Sequence, residues 1–138
     1  MDVMDFVKKC PYCGADVVFK NSTCVYGEDY GYLYICSNYP KCNSYVGTHY
    51  ESKKPLGRLA NPELRKLKQK AHKYFDLLWM YKKQNLNDKW ARSKAYSWLA
   101  REMKIERKMC HIGYFDKKQL NRCIQIVKPY YNKIRIKL

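Results

Sequence analysis

Four cysteines near the N-terminus have the type and spacing that bind a metal ion. They form two close pairs, Cys10 with Cys13 and Cys36 with Cys42. Each pair can supply two thiolates from one tight turn, and the chain between the pairs can bring the turns together around one tetrahedral ion. The sequence therefore predicts one structural Zn²⁺ with four cysteine ligands. Two disulfides, or four buried thiols, are the alternatives.

The residues beside the cysteines favour turns that can surround a metal. Pro11 fixes φ inside the first turn, and Gly14 can adopt the positive φ that curls the backbone around the ion. The second turn contains the turn formers Ser37, Asn38 and Pro40. Both cysteine pairs are thus predicted to be zinc knuckles.

The cysteine motifs also carry a resemblance. CPYCG at 10–14 and CSNYPKC at 36–42 resemble the zinc ribbons at the C-terminal end of bacterial type IA DNA topoisomerases. The resemblance covers about residues 8–47 and implies a zinc ribbon that binds single-stranded DNA. It does not imply the topoisomerase reaction, because nothing in the chain is similar to the carboxylate cluster or catalytic-tyrosine domain of those enzymes.

A second resemblance covers the whole chain. Including KPLGRLA at 54–60 and CHIG at 110–113, the sequence is similar to a family of small zinc-finger-containing proteins of phages and bacteria. That resemblance implies a domain organisation and says little about function.

The composition favours a polyanionic partner. There are 28 Lys and Arg against 12 Asp and Glu, so the formal net charge is +16, which suits nucleic acid or an acidic protein surface. With 46% apolar residues the chain is too rich in core formers to be a disordered basic tail. No apolar run approaches the roughly 20 residues of a membrane span, so we expect no membrane association.

The cysteines also suggest a compartment. Residues 1–5 lack the pattern of a signal peptide. The cysteines outside the two pairs are Cys24, Cys110 and Cys123, and an odd number of remaining cysteines argues against a framework of disulfides. We therefore expect a cytoplasmic protein of a bacterial or phage-infected cell, with reduced cysteines.

The predicted fold is α+β, with an N-terminal zinc ribbon followed by a basic three-helix region. We place the ribbon at 1–48, a linker rich in Pro, Gly and charge at 49–60, and the helical region at 61–138. A ribbon of this size buries too little apolar surface to fold unaided, so its folding is expected to depend on the metal.

Short strands are predicted around the knuckles. β-branched and aromatic residues indicate strands at 6–9, 15–20 and 30–35, with 43–47 as an edge strand. Alternation over 30–35 places three tyrosines on one face, with Leu33 and Ile35 on the other.

The exposed aromatic and basic residues of this region are candidate nucleic-acid contacts. Tyrosine rings can stack on any base, and lysine or arginine can bind the phosphates, although cross-strand packing and a solvated charged face explain the same pattern. The stacking candidates are Tyr12, Tyr32, Tyr34 and Tyr39. The phosphate candidates are Lys8, Lys20, Lys41, Arg65, Lys66 and Lys73.

Three helices are predicted in the C-terminal half. Asn61 and Pro62 begin a helix to about Lys83, a second runs over about 88–104, and Asp116 caps a third at 117–128 that ends before Pro129. The tail 130–138 is interpreted as an edge strand or a basic arm. Cys110, His111 and Cys123 are interpreted as buried thiols and a hydrogen-bonded histidine, with a second metal site as the alternative, and His72 as ordinary surface.

The predicted function is non-catalytic binding of nucleic acid, with single-stranded DNA favoured. The alternative is a protein-interaction module that binds a host nucleic-acid-processing or defence complex. An enzyme is the least favoured class, because four thiolates fill the zinc shell and the histidines form no evident constellation.

Overall fold

A computed structural model describes residues 2–137. They form an α+β fold with two compact units, which divide after Arg65. The first unit contains a three-stranded antiparallel sheet in the order β1-β2-β3, formed by Val17–Asn21, Tyr32–Cys36 and Tyr45–Gly47. Val17 lies opposite Cys36 in the register. Because β1 begins just after the first cysteine turn and β2 ends in the second, this register brings both turns to one end of the sheet.

The faces of the sheet follow the predicted alternation. Leu33 and Ile35 are buried, whereas Tyr32 and Tyr34 lie with Phe19 on the other face. Lys20 lies opposite Leu33, and its side chain is exposed. β3 is the edge strand that the sequence predicts. The sheet therefore has one closed face and one face with accessible aromatic rings.

The strand predicted at 6–9 is wrong. Val3–Val7 is a 3-10 helix with a capped N-terminus. The Asp2 side chain accepts from the backbone N–H of Met4, and the Asp5 side chain accepts from the backbone N–H of Asp2. This reciprocal cap stabilises a helical turn and competes with extended backbone. Only an isolated bridge between Lys9 and Asp16 resembles the predicted strand pairing.

The connection between β1 and β2 contains a short helix, α1, at Thr23–Tyr26. It ends at Gly27 with φ of 74°, the left-handed conformation that glycine adopts at little cost. Cys24 is exposed on this helix. The connection between β1 and β2 is thus an ordered hairpin tip.

Residues 49–60, predicted as a linker, lie within the first compact unit. Isolated bridges join Thr48 to Pro55 and Tyr45 to Ala60, and Leu59 is fully buried with the apolar side chains beside the metal turns. This segment therefore adds to the core of the ribbon.

The second unit is built on three helices. α2 spans Pro62–Lys82, α3 spans Asp88–Met103 and α4 spans Lys117–Lys137. The predicted caps are present, because Asn61 accepts from the backbone N–H of Leu64, and Asp116 and Gln119 form the reciprocal cap of α4. The unit's core consists chiefly of Phe75, Leu78, Tyr96, Leu99, Ile112, Phe115, Leu120 and Val127.

The predicted end of the third helix is wrong, because α4 continues through Pro129 to Lys137. Proline removes one backbone donor and crowds the preceding turn. Tyr131 and Ile134 are nevertheless buried, at helical spacing from the buried Val127. Burial of these side chains favours helix over the predicted strand or arm.

The segment between α3 and α4 contains two short 3-10 helices, Arg107–Met109 and Ile112–Tyr114. Cys110 and Cys123 are fully buried, and burial raises the pKa of their thiols to about 11 and about 12 respectively.

No helix within residues 2–137 is both long and apolar enough to cross a membrane.

Candidate metal centre

The first cysteine turn is closed by backbone hydrogen bonds. The N–H of Gly14 donates to the carbonyl of Cys10 at 2.8 Å, and the N–H of Cys10 donates to the carbonyl of Ala15 at 2.9 Å. Gly14 has φ of 78°, a conformation that a side chain would strain. The turn therefore directs the side chains of Cys10 and Cys13 to the same side.

The second cysteine turn has an equivalent closure. The N–H of Cys42 donates to the carbonyl of Asn38, and the N–H of Cys36 donates to the carbonyl of Ser44, both at 3.0 Å. A further bond from Ser37 N–H to the Asp16 carbonyl, at 2.9 Å, joins this turn to the chain that follows the first. The two turns are thus fixed to each other by backbone.

The four sulfur atoms converge. All four Sγ atoms lie within 4.8 Å of one another, with Cys10 to Cys42 at 3.6 Å and Cys13 to Cys36 at 3.4 Å. Four thiolates at a Zn–S distance of about 2.3 Å have their sulfur atoms about 3.8 Å apart in a tetrahedron. The residues therefore fit one tetrahedral zinc ion, which would take all four of its ligands from this chain.

Polar groups around the sulfur atoms stabilise the thiolates. The backbone N–H of Asn38 donates to Cys36 Sγ at 3.4 Å, its side-chain Nδ2 donates to Cys13 Sγ at 3.6 Å, and the Ser44 hydroxyl lies 3.5 Å from Cys42 Sγ. Such contacts orient metal ligands and spread their charge. Asn38 and Ser44 are therefore part of the metal centre, whereas the sequence predicts Asn38 only as a turn former.

The thiols differ in acidity when no metal is bound. Hydrogen bonding to the backbone of Ala15 lowers the pKa of Cys13 to about 7. Burial raises the pKa of Cys36 to about 12. Zinc binds the thiolate form, so binding at neutral pH must displace protons, including that of Cys36.

Comparison with known proteins agrees with this geometry. A family model described as a zinc-finger-containing domain matches residues 6–130. The chain belongs to this zinc-finger-containing family. Searches of curated proteins and of solved structures each found no match. The family and the four converging cysteines together identify this zinc-finger domain as a zinc-binding module, as the sequence predicts.

Two predicted stacking residues of the zinc finger lie beside the metal turns. Tyr12 is 40% exposed, and its hydroxyl donates to the carbonyl of Leu59 at 3.1 Å. Tyr39 is half-buried, with its ring edge-on to Tyr45 at 6.2 Å. Both rings have intramolecular partners, which leaves each only part of its surface for a ligand.

The other two candidates lie together on the accessible face of the sheet. Tyr32 stacks on Phe19 with ring centroids 5.1 Å apart and planes 15° from parallel. Tyr34 is tilted against Phe19 at 5.0 Å, and its hydroxyl donates to the carbonyl of Lys53 at 2.8 Å. Tyr32 is 52% exposed, so it is the more accessible of the two.

Phe19 and Tyr32 border an open cleft of about 920 Å³ within the first unit. Tyr30 and Tyr50, both strongly exposed, line it together with Phe19, Tyr32 and Lys53. The ammonium of Lys53 lies 5.9 Å from the Phe19 ring centroid. Phe19, Tyr50 and Lys53 are not among the contacts predicted from the sequence, because the cleft exists only once residues 48–53 fold beside the sheet.

The predicted phosphate contacts have differing surroundings. Lys8 forms an ion pair with Asp5 at 2.6 Å, whereas Lys20, Lys41, Lys66 and Lys73 are exposed. The guanidinium of Arg65 donates to the carbonyls of Ala60 and Asn43 and to the side chain of Asn43, at 2.8 to 3.1 Å. It also lies 4.1 Å from the Tyr45 ring centroid. Arg65 thus has a structural role within the ribbon.

The positive charge is unevenly divided between the units. Residues 1–65 contain 8 basic and 7 acidic residues, whereas residues 66–138 contain 20 and 5. α4 alone has seven Lys or Arg and no acidic residue, and its exposed basic residues are Lys117, Lys118, Arg122, Lys128, Lys133 and Arg135. The sequence predicts a basic helical region, but none of the predicted phosphate contacts lies in α4.

Proposed function

We propose that this zinc-finger protein binds single-stranded nucleic acid, with DNA favoured, in the cytoplasm and without catalysing a reaction. The zinc ion would hold the ribbon in shape, the cleft of the ribbon would stack bases, and the basic surface of the helical unit would bind phosphates. The single observation that carries the proposal is the stacked pair of Phe19 and Tyr32 in an open cleft beside Lys53.

The aromatic cleft supports a single strand better than a duplex. A duplex hides the faces of its bases, whereas unpaired bases can stack on exposed rings at about 1–3 kcal/mol per base. Tyr32 is half-exposed, and its hydroxyl is not needed for stacking. Tyr30 and Tyr50, at the border of the same cleft, provide further rings for neighbouring bases.

The charge distribution supports a phosphate backbone as the anionic part of the ligand. A helix of 21 residues with seven basic residues and no acidic ones is about 32 Å long, so it can contact several successive phosphates. Each contact releases counterions, so affinity should fall steeply with salt. The ribbon, with 8 basic and 7 acidic residues, would add little to this dependence.

The non-catalytic part of the proposal follows from zinc chemistry. A catalytic zinc ion keeps one coordination position for water or substrate, whereas here four thiolates can occupy all positions of a tetrahedral ion. The zinc would therefore be structural. The proposed function needs no other metal.

The test is a fluorescence-anisotropy titration of the zinc-loaded protein with labelled single-stranded DNA, duplex DNA and RNA at two salt concentrations. We expect preference for single strands and a steep salt dependence. Tyr32→Ala should weaken single-strand binding by about 5- to 150-fold, the equivalent of one lost stacking contact. Tyr81→Ala, at an exposed tyrosine of α2 outside the cleft, is the matched control and should change little.

Weak binding that does not depend on strandedness would overturn the proposal. Equal losses in Tyr32→Ala and Tyr81→Ala would also overturn the assignment to the cleft. Affinity capture would then test the alternative, which is an acidic protein partner. The complex with that partner should survive salt concentrations that abolish binding to nucleic acid.

A further inference from the structure

The helical unit contains a pocket of about 290 Å³ that the proposed function does not use. Leu78 and Trp79 of α2, Ala91, Ala95 and Trp98 of α3, and Tyr130 of α4 form its apolar lining. Leu78, Trp79 and Ala91 are buried, whereas Tyr130 is partly exposed. The pocket therefore has a buried floor and an accessible edge.

The aromatic rings of this pocket are held in fixed orientations. Trp79 Nε1 donates to Asp76 Oδ1 at 2.8 Å. Trp98 and Tyr130 meet edge to face, with centroids 5.2 Å apart and planes 88° from parallel. Rings fixed in this way form a preorganised surface for a flat aromatic group.

The edge of the pocket is cationic. Lys82, Lys83 and Lys94 line it, and no Asp or Glu does among the described lining residues. Lys83 is paired with Asp88 at 2.9 Å. Lys82 and Lys94 are exposed, and the ammonium of Lys82 lies 5.8 Å from the Tyr130 ring centroid. An occupant with an apolar body and an anionic group complements both parts.

We propose that this pocket binds a nucleotide, with its base against the aromatic rings and its phosphate at Lys82 and Lys94. The volume of about 290 Å³ is just below the roughly 300–1,000 Å³ typical of ligand sites, which suits one ring system and excludes a long chain. The nucleotide can be a free mononucleotide or one residue of a bound strand. Binding of one residue of a strand rests on the proposed function, whereas binding of a free mononucleotide does not.

Tryptophan fluorescence provides the test, because two of the three tryptophans, Trp79 and Trp98, line the pocket. The third, Trp90, is 63% exposed and outside the lining, so Trp90→Phe gives a background in which the signal reports on the pocket. The full-length zinc-loaded protein is titrated with AMP, adenosine, inorganic phosphate and a short single-stranded oligonucleotide. We expect AMP to change the fluorescence at lower concentration than adenosine, and inorganic phosphate to leave it unchanged.

Two substitutions locate the site. Ala95→Phe fills the pocket and should abolish the response to AMP, with circular dichroism checking that the helices remain. Lys94→Gln removes one cation without changing the packing and should weaken AMP binding about tenfold, the usual effect of losing a charged hydrogen bond. Lys89→Gln, an exposed residue of the same helix outside the lining, is the matched control and should bind AMP normally.

The outcomes separate this proposal from the proposed function. Loss of AMP binding in Ala95→Phe with unchanged oligonucleotide anisotropy supports a site for free mononucleotides, and loss of both supports a site for a base of the strand. If AMP leaves the fluorescence unchanged, or Ala95→Phe and the parent respond alike, the pocket proposal is overturned even when oligonucleotides still bind. Absence of oligonucleotide binding bears on the proposed function alone.

Discussion

The hydroxyl of Tyr12 donates a hydrogen bond to the carbonyl of Leu59 at 3.1 Å. This bond joins the first cysteine turn to a residue 47 positions later in the chain. Leu59 is itself fully buried beside Cys10 and Cys36. Tyr12, predicted as a stacking residue, thus also holds residues 49–60 against the metal centre.

Tyr12→Phe should lower the free energy of unfolding of the zinc-loaded ribbon by about 0.5–1.5 kcal/mol, because the hydrogen bond is lost and the ring is kept. Denaturant unfolding followed by circular dichroism measures this change. Tyr50→Phe, at a residue that is 91% exposed, serves as the control and should leave stability unchanged. Equal effects of the two substitutions would show that the bond to Leu59 contributes nothing.

Cys36→Ser should abolish stoichiometric zinc binding and the sheet signal in circular dichroism, because the site loses a buried ligand and a ribbon of this size depends on its metal. Zinc content by elemental analysis measures the first effect. Cys24→Ser removes an exposed cysteine outside the site and should retain one zinc per chain. A chelator added to the parent protein should reproduce the Cys36→Ser spectrum, and an unchanged spectrum would contradict a structural role for zinc.

Arg65→Gln should destabilise the ribbon by about 2–3 kcal/mol, because three oxygen atoms of Asn43 and Ala60 lose a charged donor. Thermal unfolding measures the effect. Lys66→Gln changes the next residue, which is exposed, and should have almost no effect on stability. If Arg65→Gln instead weakens nucleic-acid binding with no loss of stability, the residue binds phosphate as the sequence predicts.

His72 should make the helical unit less stable in mild acid. Burial lowers the pKa of His72 below the ordinary value of 6.5. The charge of Asp76 and the hydrogen bond to the Lys68 backbone oppose this effect, whereas the charges of Lys68 and Arg92 add to it. The unfolded chain therefore takes up the proton first, and the free energy of unfolding should fall as the pH drops from about 6.5 through the lower pKa of the folded state.

Urea unfolding monitored by tryptophan fluorescence tests the pH dependence, because all three tryptophans lie in the helical unit. His72→Gln should flatten the profile between pH 7 and the lower pKa of the folded state. A slope unchanged by this substitution would show that another group causes the dependence.

Substitution of two exposed basic residues of α4, Arg122→Gln with Lys128→Gln, should reduce the salt dependence of single-strand binding. Each phosphate contact contributes about 0.7 to the slope of log affinity against log salt concentration for a single strand. Anisotropy titrations at several salt concentrations measure the slope. Lys9→Gln, whose lysine is already paired with Asp16, should keep the parental slope, and equal slopes for both variants would exclude α4 from the interface.

The metal centre could be predicted from the sequence because the residues that specify each of its turns are close together in the chain. Each cysteine pair lies within one turn, and Gly14 and Asn38 specify those turns with their own backbone and side chain. The caps at Asn61 and Asp116 are local in the same sense. Within each cysteine pair and each cap, the residues involved are no more than six positions apart.

The features that the sequence did not allow to be predicted depend on distant residues. Pro129 was interpreted as the end of a helix, but burial of Tyr131 and Ile134 carries α4 past it. Similarly, the cleft forms only where residues 48–53 meet the rings of Phe19 and Tyr32. Side-chain type and spacing do not encode which segments meet.

The exposed cysteine on α1 has a practical consequence. Of the seven cysteines, all within the described residues, four converge on the metal position and Cys110 and Cys123 are fully buried. Cys24 alone is exposed and outside the metal site. A maleimide dye should therefore label the folded, zinc-loaded protein once, at the hairpin tip, without mutagenesis.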